Sequence, residues 1–435
     1  MTTTAIVRLW GTDIGHVTLN EGDRTASFEY APDFLRSGIE LSPLRLPLAS
    51  RVYQFPELSP QSFHGLPGLL ADSLPDKFGN AIIDTWLATK GRKPESFNSV
   101  ERLCYIGNRG MGALEFRPDK RRGRPGSSKI HVAQLVKLAS EILTHRSSLN
   151  TVFANRQDEQ AVREILRVGT SAGGARAKAL IAWNPETNEV RSGQVTAPIG
   201  FEYWLLKFDG VKNNRDKELA DPEGFGAVEY AYHKMAKNAG IEMMPCLLFE
   251  ENGRRHFMTK RFDRTDDGVK VHMQSLAALA HYDFNMAGAY GYEQAFMVME
   301  ELGLDREILV QQFRRMVFNI VARNQDDHVK NIAFLMDRKG RWSLSPAFDV
   351  TYSYNPSGDW TSAHQMTVNG KRDGFTMNDI ESCGKLALLK QGEAKAIVHE
   401  VQAVVSKWRD YADDVGVHSG MRDTIQHSLR LEVFP

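Results

Sequence analysis

The sequence lacks a net charge, and it lacks the cysteines of a disulfide-rich protein. Lysine and arginine total 54, and aspartate and glutamate also total 54. A balanced chain has no global field that would draw it onto nucleic acid or an anionic membrane. The three cysteines, Cys104, Cys246 and Cys383, are odd in number and far apart. This argues against a disulfide framework or a zinc site and indicates reduced thiols.

The sequence also lacks any apolar run near the roughly 20 residues that a membrane helix needs. Its first residues, Met1 to Ala5, show neither the basic nor the apolar segment of a secretory signal. Together with the cysteines, these absences predict a soluble cytoplasmic protein with no membrane partner. At 435 residues the chain is long for a single hydrophobic core, so two or three domains are expected.

The N-terminal part combines short alternating strands with frequent prolines. Apolar and polar residues alternate between Ala5 and Tyr30, which predicts a small antiparallel meander. The segment from Leu69 to Asp76 indicates a helix that ends, followed by a capped restart. Residues 118–129 combine charge, proline, glycine and serine, so a linker is predicted there, with a helix from Val132 to Leu149 after it. The basic linker could contact DNA phosphates, but a solvated surface is the favoured interpretation.

Two segments rich in small residues are candidate phosphate-binding loops. Gly107, Gly110 and Gly112 have the wrong spacing for a dinucleotide loop and predict a tight turn before a strand. Residues 169–175 are all small, and such a loop lets several backbone N–H groups approach a phosphate together. It is not a Walker A loop, because Ala175 and Arg176 stand where lysine and serine or threonine are required. A surface hairpin is the alternative.

The segment after this loop alternates strands with a helix. Residues 203–208 predict a buried strand whose one lysine, Lys207, needs an anion or must reach solvent. Glu229 lies on the helix that follows, and this order matches the lysine and glutamate pair of kinases. Strands are then predicted on both sides of an Asn252-Gly253 turn, and the charged segment 260–264 would lie at a hinge.

The most informative segment of the sequence is residues 324–331, which follow an apolar helix predicted to begin near Asp305. Asp326 precedes Asn331 by five positions, the separation between the base and a magnesium-binding asparagine in kinases. Asp349 follows as a second candidate metal ligand. A carboxylate beside an amide oxygen suits magnesium, whereas a polar loop that caps a helix is the plainer alternative.

These residues also carry a family resemblance. The segments LSPLRLPL, LPGLLADSLPDKFG, SAGGARAK, LLKFDG, KRFDR, DDHVKN and AFDV resemble the HipA-type serine/threonine kinases, which are toxins of bacterial toxin–antitoxin pairs. The resemblance spans nearly the whole chain. It implies an α+β protein in which a small mixed N-terminal subdomain precedes an atypical two-lobed kinase-like fold, with a β-rich lobe and then an all-helical lobe. The expected boundaries are 1–118 for the N-terminal subdomain, 119–150 for the linker and connecting helix, 151–265 for the β-rich lobe and 266–435 for the helical lobe.

The resemblance further implies ATP and Mg²⁺ as cofactors and assigns roles to individual residues. Asp326 would be the base, Asn331 and Asp349 the magnesium ligands, Ser171 the autophosphorylated serine, and Glu229 the residue that orients Lys207. The implied ATP contacts are Gly173, Gly174, Ala175, Arg176, Ala177, Lys178, Lys207, Lys260, Arg261, Phe262, His328, Val329, Lys330 and Phe348. Phosphate on Ser171 would repel ATP and expel the loop.

The implied substrate is an aminoacyl-tRNA synthetase, so the implied result is inhibition of translation and growth. The implied partner is a helix-turn-helix antitoxin of the HipB type, through which DNA would mainly be contacted. The sequence departs from the family at three positions: Thr170 is a rival phosphate acceptor, Asp327 could share the base or metal role, and Lys260 weakens the hinge assignment. The alternatives that remain are a small-molecule kinase of the aminoglycoside or choline type, a silent corepressor, and a metal hydrolase using Asp326, Asp327, His328 and Asp349.

Overall fold

The structure is a computed structural model that describes residues 2–118, 132–144, 176–211 and 223–432. Several predicted positions lie outside these ranges, namely Thr170, Ser171, Gly173, Gly174 and Ala175. The predicted linker beyond Pro118 and the last residues of the helix predicted after it also lie outside the described residues.

The first sheet has five antiparallel strands in the order β4-β3-β2-β1-β5. Its strands are β1 Thr3–Leu9, β2 Thr12–Leu19, β3 Ser27–Tyr30, β4 Val52–Tyr53 and β5 Leu114–Arg117. Ala5, Val7 and Leu9 are at most 2% exposed, because alternate side chains of a strand share one face. The predicted meander is therefore confirmed, and β5 follows the predicted glycine-rich turn.

Short helices follow the first three strands. They are α1 Pro32–Leu35, α2 Pro60–Phe63, α3 Gly68–Ala71, α4 Lys77–Thr89 and α5 Ser99–Ile106, with α6 Val132–Thr144 beyond β5. Asp76 is the N-cap of α4, as the predicted restart requires. Apolar residues of α4, such as Phe78 and Ile82, belong to the hydrophobic core under the second sheet. The N-terminal segment thus contributes to two cores, although the sequence predicted one compact subdomain.

The second sheet, also antiparallel, has the order β7-β6-β8-β10-β9. Its strands are β6 Lys178–Asn184, β7 Glu189–Ser192, β8 Glu202–Lys207, β9 Cys246–Glu251 and β10 Arg254–Lys260, and α7 Phe225–Asn238 lies between β8 and β9 in the chain. Asn252 and Gly253 join β9 to β10 with positive φ values of 51° and 75°, as a tight two-residue hairpin turn requires.

The C-terminal part is mainly helical. Its elements are β11 His272–Ser275, α8 Leu276–Ala280, α9 Tyr292–Glu301, α10 Arg306–Val321, β12 Ala333–Met336, β13 Trp342–Leu344, α11 Met377–Leu386, α12 Glu393–Val405, α13 Trp408–Asp414 and α14 Ser419–Ser428. The family resemblance implied an all-helical lobe, whereas β11, β12 and β13 form a small antiparallel sheet within it. None of the helices in the described ranges has the length and apolar character needed to cross a membrane.

Candidate active site

The register of the second sheet sets two lysines side by side. Lys178 of β6 is the ladder partner of Lys207 of β8, so both side chains lie on the same face of the sheet. Their residues are 3% and 5% exposed. Two neighbouring buried ammonium groups need nearby carboxylates, because an unpaired buried charge is costly.

Carboxylates from two other elements meet Lys207. Its Nζ donates hydrogen bonds to Glu229 Oε1, from α7, and to Asp349 Oδ1, from the segment after β13. Burial acts against the charge on Lys207, but the two carboxylates outweigh it and hold its pKa above the ordinary value. The structure therefore brings together the lysine, the orienting glutamate and one predicted metal ligand.

The second oxygen of Glu229 is held by Arg176. The distance from Arg176 Nη1 to Glu229 Oε2 is 2.7 Å, and the two side chains are 5% and 1% exposed. The guanidinium also lies 5.1 Å from the centre of the Phe225 ring. The resemblance assigned Arg176 to ATP, but the structure directs its guanidinium to Glu229. Arg176 therefore supports the residue that orients Lys207.

Lys178 has a different acidic partner, one that the sequence prediction missed. Its Nζ lies 3.5 Å from Asp76 Oδ2, and both side chains are 4% exposed. Asp76 Oδ1 accepts the Gly79 N–H at 2.6 Å, as an N-cap does. Burial lowers the pKa of Lys178, although the nearby Asp76 carboxylate acts to raise it. Burial also raises the pKa of Asp76 to about 6, although the Lys178 ammonium acts to lower it. The sequence signal was the capped restart at Asp76, which predicted the helix but not the ion pair.

Asp326 and Asn331 are joined through the loop backbone. Asn331 Nδ2 donates a hydrogen bond to the main-chain oxygen of Asp326 at 2.8 Å. This contact uses the amide nitrogen of Asn331 and not its oxygen, Oδ1. The Asp326 side chain is 43% exposed, and its Oδ1 lies 3.8 Å from His328 Nε2. Trp360, which the sequence prediction did not include, donates its Nε1–H to the same Oδ1 at 2.7 Å.

Asp349 lies in the left-handed backbone region, with φ 52°. Such a conformation is uncommon outside glycine, although aspartate tolerates it better than most residues, and it often marks functional sites. Burial acts to raise the pKa of Asp349, but the charges of Lys207 and Lys178 hold it well below the usual range. Asp349 therefore carries a carboxylate that is 29% exposed and ionised at neutral pH.

Asn331 and Asp349 carry side-chain oxygens of the type that magnesium binds. The described residues hold no group of three or more histidine, cysteine, aspartate or glutamate side chains that could bind a metal alone. Magnesium commonly takes one or two protein oxygens and completes its shell with water and phosphate. The donor set is therefore chemically suitable for Mg²⁺ with ATP, and unsuited to a metal held entirely by the protein.

Asp327 is turned away from the cluster, contrary to the idea that it shares the base or metal role. Its side chain accepts hydrogen bonds at 2.8 Å from Tyr292 Oη and the Gln365 N–H, and lies 2.8 Å from His364 Nδ1. Burial acts to raise the pKa of Asp327, but these contacts hold it below the usual range. Asp327 is 3% exposed, so its hydrogen bonds stabilise the loop. The same burial excludes Asp327 from the ligand set of the metal-hydrolase alternative.

In the predicted hinge segment, Phe262 packs near Asp349, whereas Lys260 and Arg261 form ion pairs outside the cluster. Phe262 and Phe348 have ring centres 5.5 Å apart. Lys207 pairs with Phe257, so these two side chains share one face of the sheet. Lys260 lies three positions after Phe257 on the same strand, and because side chains alternate along a strand it lies on the opposite face. There it binds Glu202 and Asp266. Arg261 forms two 2.8 Å contacts with buried Asp263. The side chains of Lys260 and Arg261 therefore do not join the cluster.

The remaining predicted contacts surround the catalytic loop. Val329 is 2% exposed and belongs to the main core. Lys330 places its Nζ 4.7 Å from the centre of the Phe284 ring. Ala177 packs into the core beneath the second sheet, and its main-chain oxygen accepts the Phe208 N–H. The structure thus places His328 beside Asp326 and the Lys330 side chain beside Phe284, while Val329 and Ala177 pack into hydrophobic cores.

Comparisons with known proteins match both halves of the chain. Residues 5–117 match the HipA N-terminal domain, and residues 170–408 match the HipA-like C-terminal domain. A protein of Sinorhizobium fredii named "Putative kinase Y4dM" is 25% identical over 186 residues. That match covers 40% of this chain and 43% of the relative, so less than half of the relative's length is matched.

A solved structure has a similar fold over nearly the full length. It is the complex of HipA, HipB and operator DNA from Shewanella oneidensis MR-1, with a TM-score of 0.67 and 15% sequence identity. The match covers 97% of this chain and 94% of the other. The predicted fold class, a mixed N-terminal part before a β-rich lobe and a helical lobe, is confirmed by this likeness.

Proposed function

Because the chain belongs to the HipA family, we propose that it is an ATP-dependent serine/threonine protein kinase and the toxin of a toxin–antitoxin pair. The observation that carries the proposal is the cluster in which Lys207 contacts both Glu229 and Asp349. Asp326 and Asn331, joined through their loop, complete the set. Phosphoryl transfer mainly needs positioned phosphates, charge neutralisation and an oriented hydroxyl, and these residue types supply all three.

In this proposal Lys207 binds the phosphates of ATP, and Asn331 and Asp349 hold magnesium. Bound magnesium neutralises the developing charge on the phosphates. Glu229 keeps the Lys207 ammonium in place, and Arg176 keeps Glu229 in place. Asp326 accepts the proton of the acceptor hydroxyl, a role that suits an accessible carboxylate. Phe262 and Phe348 form the apolar side of the nucleotide site.

The small-residue loop completes the nucleotide site in this proposal. Gly173, Gly174 and Ala175 would approach the phosphates with their backbone N–H groups. Ser171 would be autophosphorylated, with Thr170 as the competing acceptor. Roughly −1.5 to −2 charges on that loop would repel ATP and lower activity, so the enzyme would limit itself.

The substrate and partners follow from family membership. We propose that the acceptor is a hydroxyl of a protein, by resemblance an aminoacyl-tRNA synthetase, whose phosphorylation would inhibit translation and growth. We also propose a helix-turn-helix antitoxin that carries the chain to DNA. The similar solved structure, a complex of HipA, HipB and operator DNA, supports this arrangement.

The test uses the purified chain with Mg²⁺, ATP labelled on the γ-phosphate, and purified aminoacyl-tRNA synthetases offered one at a time. Label on one synthetase with the parent chain, and none with the Asp326→Asn variant, is the expected result. Label on choline or an aminoglycoside, with no protein labelled, would identify a small-molecule kinase. Bound ATP with no transfer to any acceptor would identify a silent corepressor.

A further inference from the structure

The indole of Trp360 contacts the proposed catalytic base directly. Its Nε1–H donates to Asp326 Oδ1 at 2.7 Å, a length typical of a hydrogen bond to a charged oxygen. His328 Nε2 is 3.8 Å from the same oxygen. Trp360 Nε1 and His328 Nε2 therefore both face Oδ1. Oδ2 is then the oxygen of Asp326 that can take a proton from an acceptor hydroxyl.

Trp360 belongs to a segment that is fixed to the catalytic loop at a second point. Gln365 donates its side-chain amide to the main-chain oxygen of Trp360, and its backbone N–H binds Asp327 Oδ1 at 2.8 Å. His364 contacts Asp327 as well. One short segment thus supplies partners to two consecutive loop residues, and this double attachment fixes the position of the indole relative to Asp326.

An exposed carboxylate needs such a partner if it is to hold one orientation. The Asp326 side chain is 43% exposed, so without a fixed donor it would sample several rotamers in water. A base acts efficiently when a third group orients it toward the proton it accepts. We infer that Trp360 is the positioning residue for the proposed base, holding Asp326 by Oδ1 so that Oδ2 faces the acceptor hydroxyl.

The transfer step is balanced with Asp326 alone as the proton acceptor. The acceptor oxygen forms a bond to the γ-phosphorus as the bond to the β,γ-bridging oxygen breaks, and ADP leaves with that electron pair. The acceptor proton moves to Asp326 Oδ2. Trp360 keeps its own proton throughout, and its hydrogen bond stabilises the orientation in which Oδ2 receives the proton.

This inference rests on the proposed kinase activity, so its test includes one measurement that needs no activity. Trp360→Phe keeps an aromatic ring but removes the N–H donor, and Trp360→His restores a ring N–H. Trp183→Phe is the matched control, because it removes another indole N–H, which binds Asn188 at 2.9 Å on the second sheet. Three quantities are measured for each chain: ADP production at saturating Mg-ATP with purified aminoacyl-tRNA synthetases present as acceptors, Mg-ATP affinity, and the ¹⁵N-labelled indole resonances.

Trp360→Phe is expected to lower ADP production by about tenfold, with Mg-ATP affinity within twofold of the parent. Trp360→His should recover part of the loss, and Trp183→Phe should change neither quantity. The indole resonance that Trp360→Phe removes should shift in Asp326→Asn. Unchanged turnover in Trp360→Phe, or an equal loss in the Trp183→Phe control, would overturn the inference. A parent that makes no ADP would overturn the proposed kinase, even if the indole resonance still reported the hydrogen bond.

Discussion

At the scale of single residues, Lys207 and Lys260 both lie on strands of the second sheet, but their side chains lie on opposite faces of it. Lys207 contacts Glu229 and Asp349 within the cluster, whereas Lys260 pairs with Glu202 and Asp266 on the other face of the sheet. Lys207→Met should lower ADP production by at least about 100-fold, because the phosphates lose their cation and two buried carboxylates lose their partner. Lys260→Met should stay within twofold. Steady-state ADP release from Mg-ATP, with purified aminoacyl-tRNA synthetases present as acceptors, measures both, and equal losses in the two variants would contradict the assignment.

Neighbouring acids in the loop should fail in different ways. Asp326→Asn should abolish turnover and leave the free energy of unfolding nearly unchanged, since its carboxylate is half exposed. Asp327→Asn should lower the free energy of unfolding by about 2 kcal/mol, because a buried charged acceptor loses hydrogen bonds. Urea unfolding of both variants at neutral pH provides the comparison. A larger loss of stability in Asp326→Asn would contradict these roles.

The stability contribution of Asp327 should also depend on pH. Its folded-state pKa is held below the ordinary value, so the stabilisation is present above the unfolded-state pKa of about 3.9 and is lost as the pH falls through the folded-state pKa. The difference in unfolding free energy between parent and Asp327→Asn should therefore be largest at neutral pH and shrink below about pH 4. A difference that grows in acid would show that another group is responsible.

Residue order revealed the chemistry of the site more readily than the direction of each side chain. The order of Lys207, Glu229 and Asp349 predicted three residues that the structure brings into contact. The five-residue spacing of Asp326 and Asn331 predicted a pair that a hydrogen bond joins. The same resemblance assigned Arg176, Lys260 and Arg261 to ATP, yet Arg176 contacts Glu229 within the cluster, and the other two contact carboxylates outside it. Trp360 was missed because its contact depends on how residues 353–367 fold back over the catalytic loop.

At the scale of elements, helix α4 begins after Asp76, the N-cap residue whose carboxylate also pairs with Lys178. Asp76 caps the helix with one oxygen and faces Lys178 with the other. Asp76→Asn keeps the capping oxygen, whereas Asp76→Ala removes it. The free energy of unfolding of Asp76→Ala should therefore be about 1 kcal/mol lower than that of Asp76→Asn. Urea unfolding of the two variants is the measurement, and equal stabilities would show that the cap contributes nothing.

Periodicity predicted most elements, because burial of one face imposes it. The stripe on α10, including Phe313, Val317 and Val321, is fully buried, and the turn at Asn252 and Gly253 joins β9 to β10 as expected. The sheet β11-β12-β13 was not predicted as a whole, since its strands have four, four and three residues and β11 lies far along the chain from its partner β12. Short strands with distant partners carry little local signal.

At the scale of the whole molecule, the N-terminal segment is attached to both lobes. The Gly112 N–H binds Asp263 at 2.8 Å beside the hinge, and Asp72 accepts two hydrogen bonds from Ser275 at the start of α8. Apolar residues of α4 complete the core beneath the second sheet. Family boundaries alone do not reveal this sharing, because it depends on contacts between segments far apart in sequence.

Removal of the N-terminal segment should therefore unfold the rest. A chain of residues 119–435 would expose the apolar surface that Phe78, Ile82 and Leu87 cover, and exposed surface of this kind promotes aggregation. Size-exclusion chromatography should show aggregates for the shortened chain and a discrete species when residues 1–118 are supplied with it. A shortened chain that is discrete, folded and able to bind Mg-ATP by itself would contradict this account.

The most direct test of the central claim is the intact mass of the purified chain after incubation with Mg-ATP, beside Asp326→Asn, with fragmentation to locate any phosphate. The claim is that Lys207, Asp326, Asn331 and Asp349 form a phosphoryl-transfer site. It predicts added phosphate on Ser171 or Thr170 in the parent and none in the variant. Bound ATP without phosphate in either chain, or equal phosphate in both, would contradict it.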